Sequence, residues 1–298
     1  MATVGFIGLG NMGLPMAKNL LKAGHSVKAF DLNGQALAAA AEAGAEKAED
    51  TAAAAKGVEA VITMLPAGDH VLSVYGGDQG VVAAAGQGTL LIDCSTIDME
   101  SARQVSALAA DKGLTMVDAP VSGGVAAAEA GGLTFMVGGP AEGFEGARPL
   151  LEAMGKNVFH AGESGNGQAA KICNNMILAV SMIGVCEAFV LAEKLGLDHQ
   201  KLFDIASTAS GQCWSLTSYC PVPGPVPASP ANRDYKAGFT AAMMLKDLKL
   251  AQNAAQNADA VTPLGAEATS LYGLFAASGE SGRDFSGIIN MIRGKAGG

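Results

Sequence analysis

The chain has 298 residues, enough for two domains with their own cores, and 49% of them are hydrophobic against 16% charged. That composition excludes a disordered chain. A formal net charge of −9 argues against nucleic acid and anionic membranes as partners, while leaving room for a small anionic ligand at a local positive site.

The first apolar run, from Thr3 to Ile7, has strand length and breaks into Gly8-Leu9-Gly10-Asn11-Met12-Gly13. A helical pattern follows at once, with Leu14, Ala17, Leu20 and Leu21 on one face and Lys22-Ala-Gly24 as its stop. A second strand, 26–30, ends at Asp31, about twenty residues past the turn. Strand, glycine turn, helix, strand and acid in this order form a dinucleotide fingerprint. Gly8 allows the tight turn, Gly10 lets a pyrophosphate approach the backbone, and Gly13 lets helix pack on strand. The helix N-terminus then offers its N–H groups and positive dipole to the phosphates. Asp31 would accept ribose hydroxyls and repel a 2′-phosphate, which favours NAD over NADP.

The alternation continues to about residue 162. Helical stretches are expected at 35–43, 52–56, 101–111 and 142–154, and strands at 60–65, 88–94, 114–118, 133–137 and 157–160. Such alternation means an α/β fold, a doubly wound and mostly parallel Rossmann-type sheet covered on both faces. Beyond Gly165 only helical patterns remain, at 168–195, 198–209, 239–257, 264–278 and 284–293. A Pro-rich stretch, 221–230, reads as an extended surface segment. We therefore expect a dinucleotide-binding domain over 1–162 and an all-helical substrate and oligomerisation domain over 163–298. The long first helix joins them and holds a cleft.

Five cysteines with no C-x-x-C pair, and four scattered histidines, give no metal-ligand spacing, so no metal is expected. The thiols fit a reduced state better than a Cys213–Cys220 bridge. Strand pattern begins by Thr3, which leaves no visible targeting segment, and the expected location is cytoplasmic. The apolar run 176–186 is shorter than a membrane span, so it reads as a buried helix.

Ligands of doubly wound sheets bind outside the carboxyl ends of the strands. Leu65, Pro66 and Thr96 stand at such ends and would line the nicotinamide side. Asp118-Ala-Pro-Val-Ser122-Gly123-Gly124 is a third strand-end turn. Its hydroxyl and glycine N–H groups could hold a carboxylate, although spacing alone does not separate this from a flexible turn. In Gly165-Asn-Gly-Gln-Ala-Ala-Lys171-Ile-Cys-Asn-Asn175 the lysine and Asn175 share one helix face. A lone lysine is more often a solvated charge, but its apolar neighbours bury this segment. A partly buried lysine beside a positively charged nicotinamide has its pKa lowered, which suits a general acid/base.

The glycine fingerprint, D-A-P-V-S-G-G, G-x-G-x-x-x-K-x-x-N-N and Lys246-Asp247-Leu248 occur in that order. Together they resemble the β-hydroxyacid dehydrogenase family from residue 3 to about 293. Cys213-Trp214, Tyr219 and Pro221-Val-Pro-Gly224 narrow the likeness to one branch, whose substrate is a methyl-branched β-hydroxy acid. The resemblance implies NAD-dependent, reversible oxidation of a small hydroxy-carboxylate. Lys171 would be the acid/base, and Asn175 would orient the substrate. Ser122, Gly123 and Gly124 would hold the carboxylate, Lys246 would sit against the cofactor with Asp247 beside it, and Trp214 and Tyr219 would wall the pocket. It also implies a homodimer or homotetramer. Cys220 departs from the family, which usually has Asn after the Tyr, and so bears on the pocket rim. Sister enzymes acting on L-serine, tartronate semialdehyde or succinic semialdehyde share these motifs, and a non-catalytic NAD-binding module could keep the fold.

Overall fold

A computed structural model describes residues 1–294. The chain divides into two compact units, Met1–Lys171 and the residues from Ile172 onward.

The first unit is built on nine strands: β1 (Thr3–Ile7), β2 (Ser26–Phe30), β3 (Glu46–Lys47), β4 (Ala60–Thr63), β5 (Leu90–Asp93), β6 (Thr115–Asp118), β7 (Val121–Ser122), β8 (Leu133–Gly138) and β9 (Gly155–Gly162). Helices α1 (Gly13–Lys22), α2 (Gly34–Glu42), α3 (Thr51–Ala55), α4 (Gly68–Tyr75), α5 (Val81–Ala84), α6 (Met99–Ala110), α7 (Gly124–Glu129) and α8 (Ala141–Glu152) connect them. The strand order is β3-β2-β1-β4-β5-β6-β8-β7, with β9 paired to β8. Strands β1 to β6 pair in parallel, whereas β8 runs antiparallel to β6 and β7. The order reverses between β1 and β4, and the crevice at such a switch point is where doubly wound sheets take their ligands.

Both faces of the sheet are covered, and the period of two along each strand sorts side chains between them. Phe6, Ile62, Ile92 and Val117 enter one core with Met16 and Leu20 of α1 and Phe144 and Leu151 of α8. Ile7, Val61, Leu91 and Met116 enter the other with Val71, Tyr75 and Val105 of α4 and α6.

The second unit is helical. It takes up α9 (Asn166–Leu195), which begins in the first unit, followed by α10 (His199–Ala206), α11 (Trp214–Thr217), α12 (Ala241–Asn257), α13 (Pro263–Phe275) and α14 (Ile288–Ile292). By length and composition α9 could cross a membrane. Its Ala179, Met182, Ile183, Cys186 and Phe189 instead form the core of this unit with Leu216, Met244, Leu248, Tyr272 and Phe285.

The expectation for the Pro-rich segment is corrected. The segment 221–230 is not an extended surface run: Pro221, Val222, Ser229 and Pro230 are buried, and the chain bends repeatedly before a 3-10 turn at Pro230–Arg233. Tyr235 Oη donates to the Pro221 carbonyl at 2.9 Å, which folds the loop inward. Cys220 is fully buried in the helical core, where burial pushes its thiol up to about 11. All five cysteines are free thiols.

Candidate active site

The glycine turn follows β1 directly. Gly8 has φ +95°, and a Cβ there would lie 2.3 Å from the Met64 carbonyl oxygen at the end of β4. A Cβ on Gly13 would lie 1.9 Å from the Gly8 carbonyl, so only glycine lets α1 begin this close to the strand. Above Gly10 there is open space to 4 Å. That combination of filled backing and open front fits a pyrophosphate against the backbone.

Asp31, half-buried at the end of β2, accepts from the Leu9 N–H at 2.5 Å and the Asn33 N–H at 2.6 Å. One carboxylate therefore ties the turn to the next strand and still presents lone pairs outward, where a ribose diol would meet it. Asn11 is exposed and Met12 partly so, at the mouth of the turn.

Beside the turn, a buried polar network joins the ends of β4 and β5. Tyr75 Oη and Thr63 Oγ1 lie 3.0 Å apart, and Thr63 Oγ1 donates to Asp93 Oδ1 at 2.7 Å. Ser95 adds its hydroxyl at 2.6 Å and its N–H at 3.2 Å to that same oxygen. Ser95 Oγ also accepts from the Leu65 N–H at 2.8 Å, so the Leu65-Pro66 turn is pinned to the strand that leads into Thr96. Burial raises the Asp93 carboxyl above its ordinary range, and its Oδ2 has no hydrogen-bond partner.

Two residues then anchor the start of α9. Asp118, at the end of β6, accepts from the N–H of Gly165 at 2.7 Å and of Gln168 at 2.9 Å, and so caps the helix. A Cβ on Gly138 or Gly167 would lie 2.6 Å from the Asp118 carboxylate. The wholly buried Gln168 side chain donates to Ser95 O at 2.8 Å and accepts from Ile97 N at 3.1 Å, gripping the peptides on both sides of Thr96. Sequence reasoning missed Asp93, Ser95, Asp118 and Gln168 as positioning groups.

Lys171 lies one turn further along α9 and is only 7% exposed. In the helical unit, Asn175 is 1% exposed. Its Nδ2 donates to Asp247 Oδ2 at 2.5 Å, and its Oδ1 accepts from Asn174 at 3.0 Å. Asp247 is buried on α12, and Lys246 Nζ lies 3.9 Å from its Oδ1. Half-exposed Trp214 stacks on Tyr219 with ring centroids 5.0 Å apart. In the first unit, Ser122 pairs with Thr134 on β8, and Gly123 and Gly124 both have positive φ where α7 begins. The structure thus gathers Gly8–Gly13, Asp31, Leu65, Pro66 and Thr96 around the β1/β4 switch point. It separately gathers Asn175 with Lys246 and Asp247, and Trp214 with Tyr219. No cluster of three or more metal-ligating side chains occurs among the described residues.

Residues 3–162 match the NAD binding domain of 6-phosphogluconate dehydrogenase, and residues 165–292 match the NAD-binding region of NADP-dependent 3-hydroxyisobutyrate dehydrogenase. A 3-hydroxyisobutyrate dehydrogenase of Pseudomonas aeruginosa is 52% identical over 297 residues, 99% of this chain and 100% of its own length. An NAD-dependent L-serine dehydrogenase of the same organism is also 52% identical, over 98% of each chain. The solved structure of Mycobacterium tuberculosis 3-hydroxyisobutyrate dehydrogenase with L-serine is 49% identical, with a TM-score of 0.93 over 98% of this chain and 99% of that one.

Proposed function

This chain belongs to the 3-hydroxyisobutyrate dehydrogenase family, and from that membership we propose the work of each site residue in an NAD-dependent oxidation of 3-hydroxyisobutyrate to methylmalonate semialdehyde. The reaction is reversible and belongs to valine catabolism. The protein is an oxidoreductase with a small-molecule substrate, and family membership sets aside the non-catalytic alternative. The observation that carries the reading is a buried lysine one turn beyond the Asp118 and Gln168 anchors, on the helix face that also carries Asn175.

NAD, when bound, supplies the hydride acceptor. Gly8, Leu9, Gly10, Asn11, Met12 and Gly13 would hold its pyrophosphate on the backbone, Asp31 would take the ribose, and Leu65, Pro66, Thr96 and Lys246 would hold the remainder. Neutral Lys171 accepts the hydroxyl proton at Nζ and returns it in the reverse direction. Asn175 is fixed by Asp247 and Asn174, which leaves its second amide hydrogen to orient the substrate hydroxyl or carboxylate. Ser122, Gly123 and Gly124 bind the carboxylate, with Trp214 and Tyr219 as the pocket wall and Asp247 behind. Burial keeps water from the proton transfer and holds the groups in register, which supplies much of the rate. The range 1–162 is the proposed dinucleotide-binding domain, which also lends Ser122, Gly123 and Gly124 to the substrate, and 163–298 is the proposed substrate and oligomerisation domain.

L-serine is the second reading, favoured by the L-serine dehydrogenase relative and by the L-serine in the solved structure's description. It shares the carboxylate and β-hydroxyl and carries an ammonium where 3-hydroxyisobutyrate has a methyl, so whether that position is lined by apolar or by accepting groups decides between them. The helical unit exposes Ile177, Leu191, Leu195, Leu264 and Leu274, which supports a homodimer or homotetramer. We expect a cytoplasmic enzyme without nucleic-acid or membrane partners. A comparison of 3-hydroxyisobutyrate, L-serine, glycerate and 4-hydroxybutyrate, each with NAD and NADP, tests the assignment. The highest kcat/KM is expected for 3-hydroxyisobutyrate with NAD; a clear preference for L-serine transfers it to the second reading.

A further inference from the structure

Asp284 is wholly buried, and its carboxylate is the meeting point of three segments of the helical unit. Oδ2 accepts from the Tyr219 hydroxyl at 2.8 Å, the Gly238 N–H at 2.9 Å and the Phe239 N–H at 3.2 Å. Oδ1 accepts from the N–H of Ser286 at 3.0 Å and its hydroxyl at 2.7 Å. The backbone of Asp284 also bridges Thr240, whose side chain caps the first turn of α12, the helix of Lys246 and Asp247. An asparagine would be enough for the Ser286 turn alone. Only a carboxylate accepts on both oxygens, and so binds the Tyr219 hydroxyl as well as the turn.

Tyr219 is the middle of an aromatic column. Its ring stacks on Trp214 at 5.0 Å on one side and on Phe285 at 5.3 Å on the other. Phe285 is the next residue after Asp284 and is itself buried, so ring and hydroxyl are held from the same short segment. Burial first, and then the Asp284 carboxylate, hold the Tyr219 phenol well above its ordinary range, so it remains a donor.

We propose that Asp284 is a positioning residue that sets the height and tilt of the Tyr219 ring, and through it of Trp214, and so selects the substituent the enzyme accepts on the substrate's α-carbon. The proposal rests on the reading of Trp214 and Tyr219 as the pocket wall. It reaches substrate discrimination through a residue that touches neither substrate nor cofactor.

Four single variants and one double variant test it in the whole enzyme. Tyr219→Phe removes the hydroxyl and keeps the ring. Gly238→Ala keeps both partners but places a Cβ 2.8 Å from Tyr219 Oη, displacing the ring. Asp284→Asn removes one acceptor, and Trp214→Ala removes the wall itself. KM and kcat for 3-hydroxyisobutyrate and for L-serine, KM for NAD, and the melting temperature are measured for each. Tyr219→Phe and Gly238→Ala should each raise the hydroxy-acid KM about tenfold, the effect of one lost ordering bond, and shift the ratio of kcat/KM between the two acids. KM for NAD should stay within about twofold; a general loss of folding would instead lower kcat alone and leave the hydroxy-acid KM and the substrate ratio unchanged. The Tyr219→Phe/Asp284→Asn double variant should match Asp284→Asn alone in KM. The positioning role falls if Trp214→Ala raises KM while Tyr219→Phe and Gly238→Ala leave KM and the substrate ratio unchanged. If Trp214→Ala also leaves KM unchanged, the wall reading falls and takes the proposal with it.

Discussion

Replacing Asp118 by Asn should reshape the pH dependence of stability in a direction fixed by where that carboxyl sits. Asp118 is 4% exposed. Burial pushes its pKa up from the ordinary 3.8 to about 6, with a smaller contribution from the Asp93 charge, despite the two N–H groups of Gly165 and Gln168 that favour the anion. Between those two values the folded chain binds more protons than the unfolded chain. The stability contributed by the protonated group is therefore fully present below the unfolded value and is lost as pH rises through about 6. A shift of this size corresponds to about 3 kcal/mol. Asparagine does not titrate. The unfolding free energy of Asp118→Asn minus that of the parent should therefore climb by about 2.4 kcal/mol from pH ~4 to pH ~7, the rest of the shift falling below pH ~4. At the acid end the variant should match the parent to within one hydrogen bond, about 1 kcal/mol. Urea unfolding followed by circular dichroism across this range reads the difference directly. A flat difference would refute the claim that burial outweighs the two capping donors. A falling one would mean that the cap holds the carboxylate ionised.

Lys171→Ala should lower kcat by about 10²–10⁴-fold, the usual contribution of a positioned acid/base, while NAD still quenches or shifts protein fluorescence with near-parental affinity; near-parental turnover would remove Lys171 from the mechanism. Asp31→Ala should weaken NAD binding and narrow the NAD-to-NADP preference, read as the ratio of kcat/KM values; an unchanged ratio would deny it the ribose. Gly13→Ala, with its Cβ 1.9 Å from the Gly8 carbonyl, should lower the melting temperature of the enzyme even without NAD. Gly10→Ala, with open space above it, should melt like the parent and lose affinity for NAD alone. A Gly10→Ala protein that binds NAD normally would place the pyrophosphate elsewhere.

What could be read from the chain depended on the range of the constraint. The glycine turn, α1, β2 and Asp31 form one local unit, so spacing alone identified it. The two-residue strands β3 and β7 are too short to show a period, and the single-turn helices α5 and α11 are likewise too short for helical spacing to stand out. Asp118 was noticed only as part of a turn, because its partners Gly165 and Gln168 lie 47 and 50 residues away. Gln168 reaches back 71 and 73 residues, and no local pattern announces such a grip. Residues 284–293 were expected to form one helix. The chain instead makes a 3-10 turn at Phe285–Gly287 before α14, because Asp284 folds its carboxylate onto Ser286. That Asp-x-Ser spacing was the available signal.

The double anchor at the head of α9 also fixes which changes of chain length the enzyme can survive. Asp118 and Gln168 set the angular origin of the helix against the strand ends, and Lys171 stands three residues downstream of it. One residue inserted or deleted between 168 and 171 would swing the lysine about 100° around the axis and off its face. The same change made between 171 and 175 leaves the lysine where it was but swings Asn175 off the face they share and away from Asp247, so the helix length is fixed on both sides of Lys171.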